Sequence, residues 1–343
     1  MSRVMTRQRI AAFLLVGLAI AALIGFSALR GESRAQLAST AEPVDGAVFV
    51  LSAEEPHLLA LRLGDGRPLG RIEVDSAPDI IAATPGGVSL FLGWNDRQAF
   101  EVYDVLTLEY QATLDSAEPR PTAISFSPTG EQLFVLGDSG RRLTVLAHSR
   151  LTLDKTETYP VSAGDDAVLS NRRATRLFRP TPAGLDVHFA QGGQLLDRFQ
   201  SRGFGWRFDR DHVELWGIER DGRPIAIDER DGESRVIGGV AVADHPPVVN
   251  DRITYLSRDG LELISFDPRA VQRRPQRVAL PRRAEHLVAT GPNDVWAFSR
   301  DGLLMMSAQQ GVTTRDLSDE GIAPIRRVVA AVVQQGGGFA CFD

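Results

Sequence analysis

The sequence predicts an all-β fold, a seven-bladed β-propeller of four-stranded blades, preceded by a single N-terminal transmembrane helix. Three observations predict it: four β-type runs packed between Pro121 and Val161, the recurrence of the second run's central aromatic along the chain, and one long apolar stretch near the N-terminus.

In the block, the runs are Ala123–Phe126, Gln132–Leu136, Leu143–Ala147 and Leu153–Tyr159. Pro128-Thr129-Gly130, Asp138-Ser139-Gly140 and His148-Ser149-Arg150 separate them, and such turn residues between β-rich runs mark strand ends. Four strands in about forty residues is the unit of a propeller blade. The second run recurs around Phe49, Phe91, Phe134, Phe178, Trp216, Tyr255 and Trp296, at spacings of 42, 43, 44, 38, 39 and 41 residues. Two copies also match in sequence: Leu256-Ser257-Arg258-Asp259-Gly260-Leu261 returns as Phe298-Ser299-Arg300-Asp301-Gly302-Leu303, and Glu219-Arg220-Asp221-Gly222 repeats it more loosely. Asp-Gly between β-runs is a hairpin signal, because the turn needs positive φ.

A lone blade leaves both faces of its sheet wet, whereas seven around an axis bury them against one another. The first unit has strands near Val48–Leu51, Leu58–Leu63 and Gly70–Val74 but no inner strand ahead of them. Arg327 to Val333 has the character to supply that strand from the C-terminal side, which would close the ring. Gly338 to Phe342 is then a surplus strand or a plug. The expected organisation is a cytoplasmic stub and membrane helix over 1–29, a tether over 30–45 and the propeller over 46–343.

The stretch Pro121 to Val135 fits the pattern P-x-x-hydrophobic-x-x-[ST]-P-x-G-x-x-hydrophobic-aromatic-V, and Pro78 to Leu92, with Thr84-Pro85-Gly86, fits it more weakly. In these copies the chain resembles the YVTN-type propeller repeats of surface-layer and lactonase-like proteins. The resemblance implies blade architecture, and a fold does not carry a function with it.

Ile10 to Leu29 is an apolar run of 20 residues. As a helix it spans about 30 Å, the thickness of a hydrocarbon core. Arg3, Arg7 and Arg9 precede it, so the positive-inside bias leaves the N-terminus in the cytoplasm and the propeller outside. A cleaved signal peptide is the alternative, with small residues around Ser33-Arg34-Ala35, although cleaved peptides carry shorter apolar cores. Either reading exports the propeller. Gly17, Ala21 and Gly25 share one helix face and would let another membrane helix approach; such residues are also common in any membrane helix.

The formal net charge of −6 gives no reason to expect nucleic-acid binding. Cys341 is the one cysteine, which excludes an intramolecular disulfide, a cysteine metal cluster and a lipoprotein attachment site behind the apolar run.

In propellers of this kind the second strand starts on the lower face, the one bearing the first–second and third–fourth strand loops. The tether reaches Val48 there, so the lower face should lie toward the membrane. Its loops carry Arg172, Arg173 and Arg176 in one blade and Arg269, Arg273 and Arg274 in another, candidates for anionic headgroups or plain solvated loops. The upper face is built from the loops joining blade to blade, and there the axial funnel opens. Its polar residues include Asp165 and Arg326 together with the five binding candidates Asp79, Arg120, His245, Glu285 and His286. Trp94 and Trp206 fall near these loops, where they serve either packing or a partner.

Six histidines occur and none shows metal-ligand spacing. His245 and His286 with Glu285 and Asp79 are the one set that could converge on a metal, as in lactonase-like propellers, and no local motif supports it. No nucleophile elbow, phosphate loop or dinucleotide fingerprint stands in a strand–turn–helix context. No catalytic residue, metal or cofactor is assigned. The expectation is a membrane-tethered scaffold that binds protein partners, an accessory subunit of a membrane or envelope complex. The alternative is an exported lactonase-like or dehydrogenase-subunit enzyme with a funnel site.

Overall fold

The structure is a computed structural model describing residues 46–164, 167–201, 203–209, 211–237, 240–270, 274–291, 294–308 and 311–332. The expected membrane helix with Gly17, Ala21 and Gly25, the tether, Asp165, Arg273 and the segment 338–342 lie outside these residues. Among the described residues no helix is long and apolar enough to cross a membrane.

Seven four-stranded antiparallel sheets follow one another around an axis. From the axis outward, blade 1 is Ile325–Val332, Gly46–Ser52, His57–Arg62 and Pro68–Glu73. Blade 2 is Ile80–Ala83, Ser89–Gly93, Ala99–Asp104 and Tyr110–Asp115, and blade 3 is Pro121–Phe126, Gln132–Gly137, Arg142–Ser149 and Thr152–Pro160. Blade 4 is Leu169–Ser170, Arg176–Thr181, Gly184–Phe189 and Leu195–Phe199; blade 5 is Phe204–Phe208, Glu214–Ile218, Pro224–Asp228 and Ser234–Val236. Blade 6 is Val248–Val249, Ile253–Leu256, Glu262–Phe266 and Gln276–Ala279; blade 7 is His286–Ala289, Val295–Phe298, Leu303–Ala308 and Gly311–Asp316. First strands of neighbouring blades touch across the axis side, as blades 7, 1, 2 and 3 do in succession. A short 3-10 turn, Ser318–Glu320, precedes the closing strand.

Closure joins the two ends of the described ring. Ile325–Val332 runs antiparallel to Gly46–Ser52, with Gly46 opposite Val332 and Val50 opposite Val328. Blade 1 thus draws its innermost strand from the end of the chain and its other three from the start.

The period-2 alternation of a strand sends successive side chains to opposite faces. In blade 1, Ala47, Phe49 and Leu51 pack against blade 2, while Val48 and Val50 pack against blade 7. The same logic repeats at every seam, and seven clusters of buried residues fill the seven gaps between blades. The recurrent aromatics Phe49, Phe91, Phe134, Phe178, Trp216, Tyr255 and Trp296 all lie in second strands, none more than 3% exposed. Burying each stabilises the ring by about 1.5–3 kcal/mol relative to leaving it in water. Tyr255 adds a hydrogen bond, donating its hydroxyl to the Gly217 carbonyl at 3.1 Å and so tying blade 6 to blade 5. Fourth strands show the opposite pattern, such as Gln276–Ala279, where no residue is buried.

The Asp-Gly turns fold as their residue types require. Gly222, Gly260 and Gly302 have φ of 85°, 74° and 93°. A Cβ on Gly260 would stand 2.7 Å from the Ala284 carbonyl oxygen, so the hairpin fits against the next blade's leading loop only without a side chain.

Candidate functional site

The upper ends of the first strands and the hairpins between second and third strands form one rim. On it, blades 6, 7, 1 and 2 carry all but one of the charged and imidazole groups that the sequence singles out, Arg120 being on blade 3. His245 and His286 occupy equivalent places in adjacent blades, and their rings meet edge to face at 6.5 Å. The Nδ1 of His245 lies 2.7 Å from the Pro246 carbonyl, so it carries the proton and leaves Nε2 as an acceptor. Burial, with help from His286 and Arg207, pushes His245 down to about 4. Burial also lowers His286, against a backbone hydrogen bond at Ile325. At neutral pH the pair is therefore two uncharged imidazoles.

Arg207 is brought to His245 by a bulge. The register between Phe204–Phe208 and its neighbour slips between Phe204 and Arg207, and Gly205 takes φ of 65°. Gly205 lies so close to Pro246 that a Cβ there would stand 3.1 Å from the Pro246 Cα. The Arg207 guanidinium donates to the Trp206 carbonyl at 2.9 Å. A glycine inside a β-run is a bulge signal, and it was the cue by which Arg207 could have been found.

On the other side of His286, Asp79 receives Arg326 at 3.4 Å and the Asn95 N–H at 3.1 Å. Its backbone carbonyl accepts from Arg327 at 2.7 Å. The closing strand thus reaches across the seam to hold blade 2. Arg120 stands apart on blade 3, exposed. The five candidates do not converge on one point: His245 and His286 meet, Asp79 joins Arg326 and Arg327, and Glu285 lines a cleft while its charge still reaches His286. Among the described residues no group of three His, Cys, Asp or Glu side chains is placed to hold a metal ion.

The cleft has a volume of about 540 Å³ and opens on the upper rim where blade 7 meets blade 1. Arg282, Arg283 and Glu285 of the loop leading into blade 7 line it, with Ser299, Arg300 and Asp301 of that blade's hairpin and Ala323 and Pro324 ahead of the closing strand. The Arg300 carbonyl accepts the Ile325 N–H at 2.9 Å, which fixes the hairpin to the closing strand. The Ser299 hydroxyl and Arg282 hold the Asp301 carboxyl below its ordinary range. Three guanidinium groups and two carboxylates therefore share one open cleft. Ser-Arg-Asp-Gly was legible as a repeat; its place beside the leading loop depends on the fold.

Trp94 and Trp206 are 3% and 2% exposed, with indole N–H groups donating to Ser76 and Gly203 carbonyls. They pack the rim rather than offer an aromatic anchor. On the lower face Arg172, Arg173 and Arg274 are exposed, whereas Arg269 is paired with Asp211 at 3.1 Å.

No protein-family model matches this chain, and no curated protein sequence does. The likeness to YVTN-type repeats therefore rests on the residues quoted above. Solved structures do match. The periplasmic gluconolactonase PpgL of Pseudomonas aeruginosa superposes with a TM-score of 0.59 at 16% identity, over 84% of this chain and 99% of that one. Hydrazine synthase of Kuenenia stuttgartiensis gives 0.55 at 13% identity, over 80% and 96%. Dihydro-heme d1 dehydrogenase NirN gives 0.53 at 14%; 78% of this chain is covered but only 62% of that longer protein. The likeness is one of fold. Seven-bladed propellers are what this chain resembles, and its chemistry is read from its own rim.

Proposed function

We propose that this chain is a membrane-tethered, exported propeller that binds a protein partner through its upper face, as an accessory subunit of a membrane or envelope complex. The cleft between blades 7 and 1 supports this reading. Small-molecule sites are mostly apolar and enclose their ligand. This cleft is wide open rather than enclosing, and beside the carbon surface of its walls, Ala323 and Pro324 included, it carries the charged groups of Arg282, Arg283, Arg300, Glu285 and Asp301. Arginine is enriched at protein interfaces, and alternating charges select a partner and orient it. The test is purification of the full chain from detergent-solubilised membranes, beside an Arg283→Glu/Arg300→Glu variant. A stoichiometric partner that leaves with the charge reversal is the expected result. A wild-type chain that migrates alone in mild detergent overturns the proposal.

A second reading is favoured by one observation. The neutral His245–His286 pair stands on the upper rim near Arg207 and Arg327, with the Glu285 carboxylate also close to His286. The two guanidinium groups suit an anionic substrate, and a gluconolactonase is among the proteins of similar fold. Turnover of sugar lactones by the purified chain that is lost in His245→Ala and His286→Ala would establish it; identical rates in both variants and wild type would end it.

A further inference from the structure

Among the described residues, large apolar side chains exposed to water are not scattered evenly over this propeller. Val88, Leu106, Tyr110, Leu151, Phe189, Leu195 and Leu196 are 39–58% exposed. Every one lies at the lower ends of strands, or in lower loops, of blades 2, 3 and 4. Among the described residues the other exposed large apolar side chains, Val236 and Leu261, lie at the upper ends of blades 5 and 6. Within blade 2 the two lower loops are joined by backbone contact: the Val105 N–H donates to the Val88 carbonyl at 3.1 Å, beside Leu106. The lower turns of blades 2 and 3 also abut, since a Cβ on Gly130 would stand 3.5 Å from Pro85.

Charge on the same edge is mixed, with at least as many exposed carboxylates as exposed cations. Arg150 of blade 3 and Arg172 and Arg173 of blade 4 are exposed, and none makes a side-chain ion pair or hydrogen bond with a described residue. Exposed carboxylates there are Glu109, Glu131, Asp154 and Asp197, while Asp104 turns back to cap the Leu106 and Thr107 N–H groups at 2.9 Å. The described chain begins at Gly46, the lower end of the second strand of blade 1, next to blade 2. The residues before it carry the 20-residue apolar run.

We propose that the lower edge of blades 2 to 4 lies against an anionic lipid bilayer, with Leu106, Tyr110, Leu151, Leu195 and Leu196 reaching the headgroup–acyl boundary and Arg150, Arg172 and Arg173 facing the phosphates. Exposed apolar side chains with unpaired arginines nearby are the chemistry of an interfacial membrane contact. The proposal rests on the reading that Ile10–Leu29 spans the membrane, which brings this edge to the surface. The upper rim, with its cleft, then faces away from the lipid and stays open to a partner.

The test uses the full chain with Cys341→Ser and one new cysteine at a time: Leu106→Cys, Leu195→Cys, and Val236→Cys or Leu261→Cys as upper controls. Each is labelled with a small fluorophore and reconstituted into vesicles of phosphatidylcholine and phosphatidylglycerol in equal parts, with brominated acyl chains as quencher. Quenching at positions 106 and 195 should exceed that at 236 and 261 several-fold, and should fall when Arg150, Arg172 and Arg173 are changed to Glu. Equal quenching at all four positions in protein that floats with the vesicles overturns the docking while leaving the anchor intact. Protein that fails to float overturns the anchor, and with it the orientation on which the docking depends.

Discussion

Asp186→Asn is the sharpest test of how polar groups are held inside the blades. Asp186 is fully buried in the third strand of blade 4. Arg198 grips it with Nε at 2.5 Å and Nη2 at 3.0 Å, and the Ser162 hydroxyl donates to it at 2.8 Å. Burial by itself would push this carboxyl up, but the hydrogen bonds from Arg198 and Ser162 outweigh it and hold it below the usual range. Asparagine keeps the shape and one acceptor but loses the charge. Breaking a buried pair costs about 3–5 kcal/mol when the remaining charge stays buried. Arg198, however, is 37% exposed and regains water, so the loss falls nearer that of charge-assisted hydrogen bonds, about 2 kcal/mol. Urea unfolding of both proteins at neutral and at acid pH measures it. A depressed carboxyl stabilises fully above its unfolded value of 3.8 and loses that contribution as pH falls through its lower folded value. The gap between the two proteins should therefore be full at neutral pH and shrink below about pH 4. A gap under about 0.5 kcal/mol at neutral pH would make the pair no better than a surface contact. A gap that persists at low pH would make it a packing effect.

His245, lowered to about 4 from 6.5, works at another pH. The unfolded chain takes up a proton that the folded one refuses, so stability present above pH 6.5 is lost progressively toward pH 4. The loss approaches about 3 kcal/mol by the free energy of a pKa shift, and His245→Gln should flatten the stability profile over that range in denaturant titrations. Tyr255→Phe leaves the Gly217 carbonyl without its donor and should cost about 1–2 kcal/mol in urea unfolding, with the blade 5–6 seam otherwise intact. Gly260→Ala forces a side chain into positive φ against the Ala284 carbonyl and should cost more than about 1 kcal/mol, whereas Gly86→Ala, at φ 87° with open space around it, should cost less than Gly260→Ala.

The ring was legible because its constraint is periodic. Seven aromatics such as Phe91 and Trp216 had to fill equivalent gaps, and a repeated demand leaves a repeated trace. The closing pair was legible for a related reason, a first unit with three strands and a spare β-run at the far end. The rim was harder. His245 and His286 stand 41 residues apart, one blade period, so their meeting follows from the repeat once strand positions are aligned. Asp79 and Arg326 are 247 residues apart and meet only because the ring closes. Arg207 needed the bulge at Gly205 to reach His245. Nothing local distinguishes Trp94 and Trp206 as buried, since their N–H groups are satisfied by loop carbonyls whose positions the fold alone sets. The exposed leucines of blades 2 to 4 read as ordinary strand residues until the topology puts them on one edge.

The seam of blade 1 also has a mechanical meaning. Gly46 lies between two antiparallel neighbours, paired to Val332 on one side and adjoining the Ala47–Arg62 pair on the other. A pull transmitted along Gly46–Ser52 would load both rows of backbone hydrogen bonds in parallel, lengthwise, rather than peel them apart one by one. This strand is thus clamped on both flanks by the ring itself.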